Sequence, residues 1–205
     1  MLIFKKNIKF IKSALSAGLV VINLLVKSIT LLLVVSSMFV LAGCATNAGT
    51  DKMVPHYAMT QPPKNKELKR GITVGQVTGG HETNPLWMSK INNENFKSAL
   101  VQSLQEANLY HLLDGAKYNL EATLIRLHQP FIGFNYTVVC EINYLLKNIA
   151  NSKTIYNKNI TTSYTAKFSD SPIAIVRLKK ANEGAAKANI KQLVDDLYQL
   201  PKNDS

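Results

Sequence analysis

The sequence predicts an α+β domain in which a mostly antiparallel, four-stranded sheet carries two helices on one face. Alternation of apolar and polar residues recurs in three consecutive segments after residue 118, which favours a meander of strands. Helical periodicity, with apolar residues three and four positions apart, occurs both before and after those strands. With one more strand candidate at the start, the predicted order is β-α-β-β-β-α.

The first strand and the first helix are separated by a loop rich in glycine and proline. Residues 71–77 (GITVGQV) are the strand candidate, and the glycines and proline of the loop are expected for their backbone angles. From Asn93 to Asn108 the apolar residues fall on one helical face. Asn92 or Asn93 is the expected N-cap, because a short polar side chain can accept a hydrogen bond from the first turn.

Three strands are predicted over residues 118–128, 136–146 and 156–168, joined by short turns. Past Leu124 the alternation blurs, which predicts a bulge or burial on both faces. The register of the second of these strands places Cys140 on the buried face, where a thiol behaves as a small core residue.

A second helix is predicted from Ser171, as N-cap, to about Leu200, because Pro172 suits the first helical position and Pro201 would end the helix. Its middle, Ala181–Ala188, is a patch rich in small residues. Two environments are open for Glu183: an ion pair with Lys187, or contact with the small-residue patch, where the carboxylate would need a partner.

Composition separates the chain into two unlike parts. The 205 residues carry a net charge of +11, but residues 1–44 hold 29 apolar residues, five lysines and no acid. Of the 24 basic residues, 19 remain in the other 161 residues against 13 acidic ones, a net charge of +6. A lysine-bearing start followed by an apolar run is typical of an export signal. An uncleaved anchor over residues 14–42 is the alternative.

The apolar run ends in Leu41-Ala42-Gly43-Cys44, which resembles the bacterial lipobox. The resemblance implies cleavage before Cys44, which would then carry an S-diacylglycerol and an N-acyl chain, with fatty acids such as palmitate. Several acyl chains give durable membrane attachment, whereas one gives only marginal binding. Ala45, in place of Asp, implies the outer membrane rather than the inner one by the sorting rule of enteric bacteria.

Four segments follow from this pattern: a cleaved signal peptide (1–43), a lipidated cysteine with a flexible tether (44–70), a single periplasmic domain (71–200) and a short tail (201–205). Scattered prolines and the absence of periodicity over 45–70 indicate the tether. Its 26 residues would span at most ~85 Å when extended, so the domain is expected to stand away from the membrane.

Catalytic and metal-binding motifs do not assemble in the sequence. His81-Glu82 lacks the second histidine of a zincin helix, and Pro85 stands in its place. No Gly-x-Ser-x-Gly elbow is present. We therefore expect no catalytic residues, metal or cofactor; an enzyme would need His81, Glu82 or His128 to converge in one cleft.

Five residues are candidates for a partner surface: Trp87, Phe131, Phe134, Arg177 and Lys180. A lone tryptophan anchors interfaces or fills its own core. The two phenylalanines lie on a predicted hairpin tip, which either meets lipid or protein or folds under a helix. The basic residues either meet phosphates or form a solvated helix face. Nucleic acid is not an expected partner, since the charge is modest and no stacking motif occurs.

Several segments resemble a family of small proteobacterial lipoproteins without established activity: residues 79–87 (GGHETNPLW), Phe96 with Ala99 and Leu100, Gln129-Pro130 with Gly133, and Arg177-Leu178 with 181–185 (ANEGA). Some members carry the label UDP-N-acetylglucosamine acyltransferase. That enzyme is a cytoplasmic left-handed β-helix of hexapeptide repeats, which this chain lacks. The element order is also similar to that of the lipopolysaccharide-assembly lipoprotein.

The sequence thus predicts a non-enzymatic, lipid-anchored periplasmic domain of the outer membrane that contacts an envelope protein or a glycolipid such as lipopolysaccharide. An accessory lipoprotein of an ABC-type transporter or a secretion system is an alternative. A second alternative is an enzyme such as an acyltransferase.

Overall fold

The computed structural model describes residues 27–29, 46–57, 62–82 and 89–202. The chain divides into two compact units, Met1–Gly43 and Cys44–Ser205, and all the strands and helices discussed below belong to the second. None of the helices in the described ranges is both long enough and apolar enough to cross a membrane.

The predicted α+β class and the order β-α-β-β-β-α are confirmed, with one short helix added in front. The elements are α1 (Thr50–Met53), β1 (Ile72–Thr78), α2 (Asn93–Glu106), β2 (Tyr118–His128), β3 (Tyr136–Asn148), β4 (Thr154–Ala166) and α3 (Ala174–Gln199). The strands lie in the sheet in sequence order. β1 and β2 are parallel, and the other two pairs are antiparallel, so the sheet is mixed.

One face of the sheet is buried and the other is largely open, as the alternation predicts. Along β3 every second residue from Tyr136 to Leu146 is buried, Cys140 among them. The expected irregularity in β2 is a register shift between Leu124 and Arg126. Beside it Gly79 ends β1 at φ +78°, where a Cβ atom would lie 2.1 Å from the Leu124 carbonyl oxygen. Only glycine fits this close approach in a left-handed conformation.

The two long helices differ in how well their starts were predicted. The Asn92 side chain caps α2 by accepting a hydrogen bond from the Asn95 amide at 2.9 Å, as expected. α3 begins at Ala174, two residues after the predicted first helical residue, Pro172, and Ser171 does not cap it. The Ser171 hydroxyl instead accepts from the Ile173 amide at 3.2 Å, which closes a local turn ahead of the helix.

A buried asparagine ties α3 to the middle of the sheet. The Asn189 amide nitrogen donates to the Ile160 carbonyl at 2.8 Å, and its oxygen accepts from the Tyr144 hydroxyl at 2.9 Å. Both side chains are fully buried. Burial raises the pKa of Tyr144, so its hydroxyl remains a donor at neutral pH. This network fixes the rotation of α3 against the sheet, because a shift would leave buried polar groups unpaired.

The flexible tether predicted for residues 44–70 is wrong for the parts the structure describes, 46–57 and 62–70. Ala48, Met53 and Leu68 are fully buried, and α1 packs against α2 and α3. The segment runs alongside α3 towards its C-terminal end: Tyr57 donates to the Ile190 carbonyl at 3.4 Å. The sequence does not predict this packing, because the buried apolar residues are isolated and do not follow the spacing of a helix or a strand.

Replacing Asn189 by Ala should lower the free energy of unfolding by about 2–4 kcal/mol, because it leaves the Tyr144 hydroxyl unpaired and opens a cavity. Gln192 is the matched control, since it is an exposed amide on the same helix. Its replacement by Ala should change stability by less than about 0.5 kcal/mol. Urea unfolding measures both, and equal costs would contradict the assigned role of Asn189.

Candidate functional site

The predicted anchor and the tryptophan cannot be compared with the structure. The lipobox residues Leu41, Ala42, Gly43 and Cys44, and also Trp87, lie outside the described residues. The other four candidates, Phe131, Phe134, Arg177 and Lys180, all lie at one end of the domain. This is the end where β2 turns into β3 and where α3 begins.

The β2–β3 hairpin presents bare apolar side chains to solvent. Phe131, Ile132 and Phe134 are 87%, 82% and 80% exposed, so the tip is not folded under a helix. Further exposed apolar residues lie on the chain that leads into α3, and the Phe134 and Phe168 rings meet edge to face at 6.0 Å. We call this set the tip surface: Phe131, Ile132, Phe134, Phe168, Ile173 and Val176.

Arg177 is buried beneath the tip surface, which corrects its prediction as a surface residue. It is 3% exposed. Its guanidinium donates to the Ser171 carbonyl at 2.6 Å and to the Gly133 carbonyl at 3.2 Å. It also lies 4.7 Å from the centroid of the Tyr136 ring. Arginine suits this position because its planar group can bond carbonyls and stack on rings together. Arg177 therefore fixes the hairpin to the start of α3.

Lys180 is exposed, and its ammonium donates to the Asp170 carbonyl. It remains a candidate partner residue beside the tip surface, together with Lys167 and Lys179, which are exposed and half-buried. The basic character of the α3 start therefore comes from lysines at the surface and not from Arg177.

Residues 46–49, which we call the anchor segment, are held at this same end. The Thr46 carbonyl accepts from the Ser89 hydroxyl at 2.8 Å, and its hydroxyl accepts from the Lys179 ammonium at 2.8 Å. The Ala48 amide donates to the Lys90 carbonyl at 3.0 Å. The sequence does not predict these contacts, because Ser89 and Lys179 belong to no recognisable motif.

The carboxylate of Glu183 closes the anchor segment onto α3. It accepts from the Gly49 amide at 2.8 Å and lies 3.9 Å from the Lys179 ammonium. Of the two environments considered, Glu183 takes the small-residue patch, with a backbone amide as partner. Burial raises the pKa of Glu183, while the hydrogen bond from Gly49 and the charge of Lys179 act in the opposite direction.

Of the residues considered for an enzyme, Glu82 bonds through its side chain and His81 through its backbone, and His128 is exposed at the end of β2. The Glu82 carboxylate accepts from the Asn47 amide group at 3.1 Å, and the His81 backbone amide donates to the Ile91 carbonyl at 3.0 Å. Burial raises the pKa of the Cys140 thiol to about 12, so it stays protonated at neutral pH. Within the described ranges, no three His, Cys, Asp or Glu side chains are grouped to hold a metal ion.

An open groove of about 570 Å³ lies between the region of α1 and α3. Its lysines include Lys52, which lies 3.0 Å from the Asp51 carboxylate, and Lys191, which lies 2.6 Å from the Asp195 carboxylate. Because these pairs are exposed and offset each other's charge, the groove is less basic than its lysines suggest.

Comparison with known proteins yields structures only: no protein-family model and no curated protein matches the chain. Protein XCC0632 from Xanthomonas campestris, of the DUF330 family, has a TM-score of 0.49 at 11% identity, over 75% of this chain and 92% of its own. A minor lipoprotein from Acinetobacter baumannii has a TM-score of 0.43 at 5% identity, over 64% and 94%.

A third similar structure is the PelC dodecamer from Paraburkholderia phytofirmans, with a TM-score of 0.42 at 13% identity, over 68% of this chain and 94% of its own. Likenesses this low carry no inference about function. The lipoprotein interpretation therefore rests on the residues around Cys44, and the resemblance to a labelled acyltransferase family and to the lipopolysaccharide-assembly lipoprotein stays a prediction.

The raised pKa of Glu183 gives a testable pH dependence. The folded state binds this proton more tightly than the unfolded chain, so stability from this group falls as pH rises from the ordinary value of 4.5 through the higher folded value. Glu183→Gln keeps an acceptor for the Gly49 amide without the charge, so its free energy of unfolding should increase relative to that of the wild type as pH rises through this window.

Urea unfolding of both proteins between pH 4 and pH 8 measures the difference, since the other carboxylates are common to both. Glu183→Ala is the companion variant, because it removes the acceptor and should expose the chain near Gly49 to protease. Identical pH profiles for the wild type and Glu183→Gln would contradict the assignment.

Proposed function

We propose that this chain is a lipid-anchored, non-enzymatic domain of the bacterial outer membrane that binds another envelope component through the tip surface. The exposure of Phe131, Ile132 and Phe134 on one hairpin is the observation that carries the proposal. Removing apolar side chains from water is favourable, so an exposed cluster of them marks a surface that binds a partner.

The tip surface is also held in place, which favours a binding role. Arg177 bonds the hairpin and the chain entering α3 through three carbonyl contacts and two ring contacts, to Tyr136 and Phe168. A preorganised surface loses less conformational entropy when it binds. The apolar residues therefore lie on a fixed surface and not on a mobile loop.

Attachment through Cys44 supports the envelope location. The motif Leu41-Ala42-Gly43-Cys44 ends the apolar run where cleavage is expected, and Ala45 follows in place of the inner-membrane Asp. A non-enzymatic role is supported by the structural contacts of Glu82 and by the protonated, buried thiol of Cys140.

Crosslinking in living cells tests the proposal. A photoreactive amino acid at Phe134 should give a defined adduct with an envelope protein or a lipid, because this side chain projects from the tip surface. Ile149 is the control position: it is 50% exposed, but it follows the end of β3, at the opposite end of the sheet. Equal adduct patterns from both positions, or none from Phe134, would count against a binding role for the tip.

The anchor needs its own control in the same cells. Wild-type protein should incorporate labelled palmitate, and Cys44→Ser should not. Label retained by Cys44→Ser would overturn the anchor assignment while leaving the crosslinking result to stand separately.

A further inference from the structure

We infer that the tip surface docks on the lipid leaflet that holds the acyl chains of Cys44, so that the start of α3 faces the membrane and its C-terminal end points away. This inference rests on the proposed function, since it needs the lipid on Cys44, and it names the bilayer as the partner of the tip surface.

The first step is a limit set by chain length. Cys44 precedes Thr46 by two positions, and two residues span at most ~7 Å when fully extended. Thr46 is bonded to Ser89 and Lys179. The point at which the chain joins the folded domain is therefore within about one headgroup layer of the modified cysteine.

The second step places that point beside the tip surface. Ser89, which donates to Thr46, accepts at its own carbonyl from Gln129 at 2.8 Å and from Asn182 at 2.9 Å. Gln129 is the residue at which the hairpin that carries Phe131 begins. One short chain of hydrogen bonds thus runs from the anchor segment to the base of the tip.

Lys179 makes the same connection through α3. Its ammonium donates to the Thr46 hydroxyl, and it lies two positions after Arg177, which holds the Gly133 carbonyl of the hairpin. The anchor segment, the hairpin and the start of α3 therefore form one end of the domain. A lipid at Cys44 would bring this end close to the leaflet.

The opposite end of the sheet, at the β3–β4 turn, lies far from the tip surface. β3 runs for 13 residues from the tip hairpin to the β3–β4 turn, a length of about 43 Å. When the domain stands on the tip surface, this length keeps Ile149 on that turn away from the leaflet.

The chemistry of the end suits a lipid surface. Three of its apolar residues project from the hairpin and three lie beside it, and the apolar face of an interfacial helix enters the membrane to a depth of about 5–10 Å in the same way. Lys167 is exposed beside them, and Lys179 and Lys180, whose ammonium groups bond Thr46 and Asp170, add positive charge that favours anionic headgroups. Since the lipid on Cys44 already holds the domain at the leaflet, even a weak apolar contact is populated at high effective concentration.

Fluorescence of the lipidated protein in vesicles tests the orientation. Full-length protein is matured in a bacterial host, purified and reconstituted into vesicles of phosphatidylethanolamine and phosphatidylglycerol. An environment-sensitive dye is attached to Ile132→Cys or to the control Ile149→Cys. Cys140 does not compete, because it is 1% exposed and its thiol is protonated.

The dye at position 132 should emit at shorter wavelength in vesicles than in detergent-free buffer, resist quenching by iodide several-fold better than the dye at 149, and be quenched by a shallow lipid-attached quencher. The dye at 149 should behave as in water. Equal iodide quenching at the two positions would overturn the inference.

A second variant guards against a dye effect. Ile132→Asp, with the dye moved to Phe134→Cys, should lose most of the protection from iodide because a carboxylate resists burial in lipid. Ile149→Asp should lose none.

Failure of the inference and failure of the proposed function give different results. Protein adducts from Phe134 in cells, with an iodide-accessible dye at 132, would mean that the tip binds a protein and that the bilayer is the wrong partner. Absence of the acyl chains from the mass of the purified protein would remove the anchor, and with it both proposals.

Discussion

The structure depends on the hydrogen bonds that hold residues 46–49 against the domain. Ser89 and Lys179 bind Thr46, the Lys90 carbonyl receives the Ala48 amide, and Glu183 receives the Gly49 amide. Without these bonds the chain after the cysteine would be a tether and the domain would have no fixed orientation. With them, Thr46 is fixed only two positions after Cys44, so a lipid on Cys44 would be held close to this end of the domain.

α3 holds the hairpin, the anchor segment and the sheet in place, because it buries polar side chains that bond each of them. Arg177 fixes the hairpin, Glu183 fixes the anchor segment and Asn189 fixes the sheet. Each of these side chains makes hydrogen bonds within the fold, although the Nε atom of Arg177 makes none with the described residues. Each therefore contributes specificity, because a rotated or shifted helix would break these bonds. The same helix therefore sets the shape of the tip surface and its distance from the anchor segment.

The fold was predictable because its signals are periodic. Alternation along β3 and the spacing around Phe96 are repeated many times, and tertiary packing reinforces them. The site was less predictable because its signals are single residues. Ala48 and Met53 are buried without any period, and Arg177 is typical of a surface until its carbonyl and ring partners are known. The exposed hairpin was foreseen as one of two alternatives, which only the tertiary structure could separate.

Amide hydrogen exchange of the anchor segment, measured by NMR on the mature lipidated protein, tests the account most directly. Because Ala48 and Gly49 donate to the Lys90 carbonyl and the Glu183 carboxylate, their amides should exchange far more slowly than those of an unfolded chain. Glu183→Ala should release the Gly49 amide and leave the amides of β3 protected. Exchange of Ala48 and Gly49 in the wild type at unfolded rates, beside a protected sheet, would show a free tether and contradict the account.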